Sequence, residues 1–154
     1  MTSLIVVNLH GLINTRDEVR TTLIELGIGK RFAATVVVDD PSTVGALHLC
    51  KDYVAWSKAD TELLGSLLRA RGRVSNSKTL DDESLKSMGY KDHFDLAAKM
   101  IRDGSTLSSM AGLKPYMGLS PPRGGFKRSS RRQFKEGGIL GENPTLPDIV
   151  RRMM

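Results

Sequence analysis

At 154 residues with 40% apolar side chains, the chain has room for one domain with a real hydrophobic core. Its formal net charge of +6 is placed unevenly: residues 1–111 hold 14 Lys/Arg and 14 Asp/Glu, whereas residues 112–154 hold 9 and 3. A neutral body with a basic end points to nucleic acid ahead of an anionic membrane, because the basic residues build no amphipathic helix and no lipidation signal accompanies them. The single cysteine, Cys50, excludes an internal disulfide and fits a reducing compartment. No apolar run approaches the ~20 residues of a membrane span. The first residues lack the basic flank and long apolar centre of a signal peptide, so the expected location is cytoplasmic.

In chain order, Leu4-Ile5-Val6-Val7 reads as a buried strand that ends by Gly11. Thr15-Arg16-Asp17-Glu18 has the form of a capping box. The helix it opens carries Val19, Leu23 and Leu26 on one face and closes at Gly27. Thr35–Val38 is a second strand, ending at Asp39-Asp40-Pro41. Ser42 is placed to cap a second helix, with Val44, Leu47, Cys50 or Lys51, and Val54 on one face, running to about Trp56. The first 57 residues therefore read β-α-β-α. Three helices are expected next: Thr61–Arg71 after an Asp60 cap, Thr79–Met88, and Asp92–Arg102, the last two closed by Gly89 and Gly104. Lys114–Ser120 reads as a last short strand, with Pro115 placing it at a strand start or sheet edge. Thr145 begins a short terminal helix containing Ile149 and Val150.

The usual chemical constellations are missing. His10, His48 and His93 lie far apart, with no Cys-His or His-Glu-x-x-His spacing. Cys50 lies on an apolar helix face and reads as a structural thiol. Gly27-Ile28-Gly29-Lys30-Arg31 lacks the first glycine and the terminal Ser or Thr of a phosphate loop, and reads as a helix end whose Lys30 and Arg31 are free to touch a backbone phosphate. Asp39-Asp40 belongs to a strand-to-helix turn, and Trp56 to the core. Arg69, Arg71 and Arg73 either compensate a helix C-terminus or touch RNA; the sequence leaves both readings open. No catalytic residue, metal site or cofactor is expected.

Ser120–Gly138 (SPPRGGFKRSSRRQFKEGG) is different. It concentrates Arg123, Lys127, Arg128, Arg131, Arg132 and Lys135 against one acid, Glu136. It shows neither helical nor strand period, so it reads as an irregular loop that orders against a polyanion. Arginines can fork onto phosphates, Gly124 and Gly125 let the backbone approach closely, and Phe126 or Phe134 can stack on a splayed base or plug an apolar notch. An irregular basic loop suits RNA better than a DNA groove. A small enzyme using the loop as a lid over a phosphorylated substrate, and a free RNA chaperone, are the alternatives from other classes.

Val7-Asn8-Leu9-His10-Gly11 with Asn14, Val19-Arg20-Thr21-Thr22-Leu23 with Leu26, Tyr53-Val54-Ala55-Trp56, Arg71-Gly72, Leu119–Gly125, Glu136-Gly137-Gly138, and Arg151-Arg152-Met153 form a recognisable set. Together they resemble the large-subunit ribosomal protein family numbered thirty, in its long archaeal and eukaryotic form (the eukaryotic member is traditionally numbered seven). His10 stands where family members often carry Arg, and Ser57 where Gly is usual. The resemblance implies an α+β fold: a small antiparallel, ferredoxin-like sheet in β-α-β-α-β order with the first strand central, a helical insertion before the third strand, and a basic C-terminal loop. The expected division is a core of residues 1–57 plus 112–120, an insertion at 58–111, the RNA-binding loop at 121–138 and a C-terminal segment at 139–154. It also implies a structural constituent of the large ribosomal subunit, bound to the large rRNA near the 5S rRNA and beside neighbouring ribosomal proteins, with no membrane or DNA partner. The candidate RNA-binding residues are Arg123, Gly124, Gly125, Phe126, Lys127, Arg128, Arg131, Arg132, Phe134 and Lys135 in the loop, with Lys30, Arg31, His10, Arg71 and Arg73 on the body.

Overall fold

The fold, a computed structural model that describes residues 2–154, is α+β and built on one six-stranded sheet. Its elements are β1 (Ser3–Asn8), α1 (Asp17–Glu25), β2 (Ala33–Val38), α2 (Pro41–Leu49), β3 (Val54–Lys58), α3 (Thr61–Arg71), α4 (Asp82–Ser87), α5 (His93–Asp103), β4 (Met117–Gly118), β5 (Ser129–Gln133), β6 (Gly138–Glu142) and α6 (Leu146–Met153). Short 3-10 turns occupy Leu107–Ser109 and Phe134–Glu136. The strand order is β4-β2-β1-β3-β6-β5. β1 pairs antiparallel with both β2 and β3, so the first strand is interior as expected.

All six residues of β1 are buried, because the period of two sends alternate side chains into two separate cores. Ile5 and Val7 join Val36, Ala55, the α3 leucines Leu63, Leu64, Leu67 and Leu68, and α6 residues Leu146, Ile149, Val150 and Met153. Leu4 and Val6 face the other way, with Val37, Val54 and Trp56, under Val19 and Leu23 of α1 and Leu47 of α2. Gly65 lets α5 close on α3: a Cβ there would run into the Phe94 ring.

Several expectations need correction. The second helix does not run to Trp56; it ends at Leu49, and Val54–Lys58 is β3. Val54-Ala55-Trp56 continues a helical spacing in sequence, but pairing with β1 (Ala55 opposite Val7, Trp56 opposite Val6) buries both of its faces, and that non-local gain decides. The third strand therefore precedes the helical segment, which falls between β3 and β4. The antiparallel β-α-β-α-β unit with its first strand central is present as β1-α1-β2-α2-β3, but the sheet is larger than that unit and mixed, since β6 returns parallel to β3. The capping box is not formed: the N-cap of α1 is Arg16, without a side-chain bond, and the Thr15 hydroxyl turns to the Gly11 and Ile13 carbonyls at 3.5 and 3.4 Å. Asp40, not Ser42, caps α2, its carboxylate accepting from the Thr43 amide at 2.6 Å, because Pro41 takes the first helical position.

α4 is shorter than the expected Thr79–Met88, spanning Asp82–Ser87 with Thr79 bridged to Arg73 instead, while other elements fall where the spacing places them. α3 spans Thr61–Arg71. α5 has Asp92 accepting from the Asp95 amide at 2.8 Å and closes at left-handed Gly104 (φ 62°). Lys114–Ser120 supplies the two-residue edge strand β4, two positions beyond Pro115 and paired with β2. It is not the last strand, however. The basic stretch, expected to be irregular throughout, contains β5, which lies beside β6 in an irregular register with Ser129 opposite Gly138 and Gln133 opposite Leu140. Backbone pairing, not apolar period, makes this strand; the apolar content sits in β6, where Ile139 and Leu140 are buried.

Candidate nucleic-acid interface

The end of the sheet where β1 stops and β2 begins gathers groups far apart in sequence. Asn8 is fully buried, and its side chain organises the turn: the amide donates to the Ile28 carbonyl at 2.7 Å, and the oxygen accepts from the amides of His10 (3.0 Å) and Gly11 (2.9 Å). His10 is thereby held at the surface, edge-on to Tyr53 with ring centres 5.0 Å apart. The Arg31 guanidinium lies over the Phe32 ring at 4.8 Å. His10, Arg31 and Arg131 line one depression of about 510 Å³ with Leu9, Asp52, Tyr53 and Ser130. Gln133 donates to the Asp52 carboxylate at 3.0 Å and so ties β5 to the turn before β3.

The basic stretch is fastened to the body at its start. The Ser120 and Arg123 amides donate to the Met153 and Arg152 carbonyls, each at 3.0 Å. Arg152 returns the contact, its guanidinium donating to the carbonyls of Gly125 (2.8 Å) and Arg123 (3.3 Å). Arg71 donates to the Ser120 hydroxyl at 2.6 Å. Phe126 takes the apolar-notch option, half-buried against the core with its ring 6.3 Å from that of Phe32. At the far end, Gly138 is irreplaceable in shape: a Cβ there would meet the Arg132 carbonyl. Gly124 and Gly125 both adopt positive φ at the exposed turn (77° and 71°).

The cations divide into two groups. Arg128 is engaged internally, over the half-buried Phe134 ring at 4.4 Å and donating to the Phe134 and Gly137 carbonyls at 3.2 and 3.4 Å. Arg73 donates to the Asn76 carbonyl at 3.1 Å. In contrast, the side chains of Arg123, Lys127, Arg131, Arg132 and Lys135 are exposed and have no hydrogen bond or ion pair among the described residues. Lys127 and Arg128 also border a second hollow of about 240 Å³ with Arg152 of α6. Such an array, on a segment fixed at both ends, can neutralise and fork onto phosphates without first being ordered.

Lys30 is not part of this gathering. It sits with Lys114 over the Tyr116 ring, at 5.7 and 5.4 Å from its centre. The sequence reading passed over Lys114 and Tyr116, taking them only as the start of a strand, and took Arg152 only as a terminal residue; adjacent Lys-Pro-Tyr was the available signal for the first two. The remaining titratable groups are scattered. His48 is edge-on to Trp56 at 5.6 Å, and buried His93 contacts the Leu80 carbonyl through Nε2 at 2.9 Å. Burial pushes the Cys50 thiol up to about 11. Among the described residues no three His, Cys, Asp or Glu side chains converge as a metal site.

The family model described as ribosomal protein L30p/L7e matches residues 4–54, from β1 to the start of β3. The chain is similar to the large ribosomal subunit protein uL30 of Nitrosopumilus maritimus, 36% identical over 99% of this chain and 98% of that protein. It is also similar to the uL30 proteins of Cenarchaeum symbiosum (35% identical, 97% of each chain) and Methanothrix thermoacetophila (34%, 96% of this chain and 97% of that one).

Proposed function

Because the chain belongs to the ribosomal protein L30p/L7e family, we propose that it grips the RNA of the large ribosomal subunit with the basic surface that runs from His10 and Arg31 past Arg131 to Arg123. It is a structural constituent of the large ribosomal subunit in the cytoplasm, not an enzyme, and associates there with rRNA and ribosomal proteins. The observation that carries the binding proposal is the set of five exposed cations, unpartnered among the described residues, on a segment stapled to the fold by Arg152 and Gln133. Most contacts are to phosphate and sugar, as is usual for basic segments. Arg31 and Arg131 flank the depression beside His10 and Tyr53, where a backbone phosphate has two guanidinium forks to meet. In this reading residues 121–138 are the RNA-binding segment and residues 58–111 a helical insertion. The family resemblance adds the 5S rRNA as a neighbour.

The test is sedimentation of tagged chain from lysate on sucrose gradients, comparing wild type with an Arg131→Gln/Arg132→Gln variant at moderate and high salt. Wild type is expected with the large subunit, and the variant is expected to leave it at lower salt. Equal salt resistance of the two chains would remove this surface from the attachment.

A further inference from the structure

At the opposite edge of the sheet from β5 lies a feature that the basic segment does not use. A hollow of about 220 Å³ opens between the end of α1 and the approach to β4, lined by Ile24, Gly27, Gly29, Lys30, Pro115 and Tyr116. For scale, an apolar cavity of about 150 Å³ holds benzene. Its floor is largely apolar. Ile24 is 57% exposed on α1, whose buried face is carried by Val19 and Leu23. Gly27 and Gly29 contribute backbone without side chains. The rim is cationic: Lys30 and Lys114 both stand over the Tyr116 ring, and Lys114 is steadied by a bond to the Asn76 side-chain oxygen. The Lys30 ammonium at its hydroxyl holds the Tyr116 phenol below the ordinary tyrosine range, with Lys114 adding to the effect.

We propose that this hollow is a second RNA contact, taking one unstacked nucleobase against Ile24 and Tyr116 with its flanking phosphates on Lys30 and Lys114, so that the protein joins two RNA segments at opposite sheet edges. An apolar floor beside an aromatic ring suits the face of a base, and two ammonium groups suit a phosphodiester. Among the described residues no carboxylate lines the hollow, so it offers nothing to a basic peptide, and the two ammonium groups at its rim favour an anionic occupant. The proposal rests on the RNA-binding reading above but uses none of the residues named there.

Ultraviolet irradiation of native large subunits, followed by digestion and mass spectrometry, tests it. A nucleotide attached at Tyr116 is expected, together with attachments in the peptides of residues 127–135. Attachments at 127–135 with none at Tyr116 would overturn the second contact and leave the basic surface standing; absence of both would sink the two readings together. Zero-length carbodiimide coupling of Lys30 to a protein carboxylate would assign the hollow to a protein and also overturn it. With RNA extracted from large subunits, Lys30→Gln/Lys114→Gln is expected to reduce the magnitude of the log–log salt slope by about 1.4, two contacts at ~0.7 each. An unchanged slope in a variant with wild-type melting behaviour would refute the phosphate contacts.

Discussion

Arg128 and Arg131 are three residues apart in the same basic run, yet the geometry separates them sharply. Arg128 is folded back over Phe134 with its guanidinium on two backbone carbonyls, whereas Arg131 is exposed beside the His10–Arg31 depression without an internal partner. Five free cations remain in the segment: Arg123, Lys127, Arg131, Arg132 and Lys135. At ~0.7 to 0.9 counterions released per phosphate contact, they alone contribute roughly −3.5 to −4.5 to the log–log salt slope. A fourfold rise in salt then weakens binding on the order of 100- to 500-fold, and each contact accounts for about a factor of three of it. Fluorescence anisotropy with RNA extracted from large subunits, across a salt series, measures this directly. Arg131→Gln is expected to flatten the slope by about 0.8, while Arg128→Gln leaves the slope unaltered and lowers only the stability of the Phe134 turn. If Arg128→Gln flattens the slope as much as Arg131→Gln, or if the wild-type slope is near −1, the division into engaged and free cations is wrong.

Three further outcomes follow from the fold. Trp56→Ala, at a residue only 5% exposed in β3, is expected to cost about 3–5 kcal/mol in urea unfolding; a loss below about 1 kcal/mol would contradict its place between β1 and α2. Asp92→Ala removes the side-chain acceptor for the Asp95 amide at the start of α5 and is expected to cost about 1 kcal/mol, read from the same titration. The Cys50 thiol is raised from 9.0 to about 11 in the fold, so the folded state favours its protonated form. Its contribution is complete below pH 9 and is lost as pH rises through about 11. The stability difference between wild type and Cys50→Ala should therefore shrink over that interval, and a difference that stays level would refute the linkage.

What the sequence made legible was local. Leu4–Val7 and Thr35–Val38 declare strands through β-branched runs, and α3 declares its span through the Leu63-Leu64-Leu67-Leu68 stripe and flanking charges. The miss at Val54–Lys58 has a definite cause. Val44, Leu47, Cys50 and Val54 keep a helical spacing, and only the partner strand β1, some fifty residues earlier, shows that Val54 begins something else. β5 was hidden for a related reason: Ser-Ser-Arg-Arg-Gln has no apolar period, and its pairing comes from β6. In the site, total charge and its location were readable, because they are sums over sequence. Which cations stay free was not: Arg71 is taken up by the Ser120 hydroxyl 49 residues away, and Arg73 and Arg128 by nearby carbonyls that only the folded turns bring within reach. Nor does any spacing announce that His10, Arg31 and Arg131 share one depression.

The return of β6 to the side of β3 bears on how the molecule assembles in time. Lys58 and Gly138 are about 80 residues apart, and closing a loop of that length costs about 4 kcal/mol in chain entropy beyond a constant term. Contacts so distant in sequence form slowly. Until they form, β3 presents an open edge, and open edges recruit foreign strands. The basic segment spans the connection from β4 to β6, so its final shape also waits for that closure. Like charges along the unfinished stretch meanwhile repel one another and other copies of the same chain, so the residues awaiting RNA also act as a solubility guard for a slow-maturing sheet.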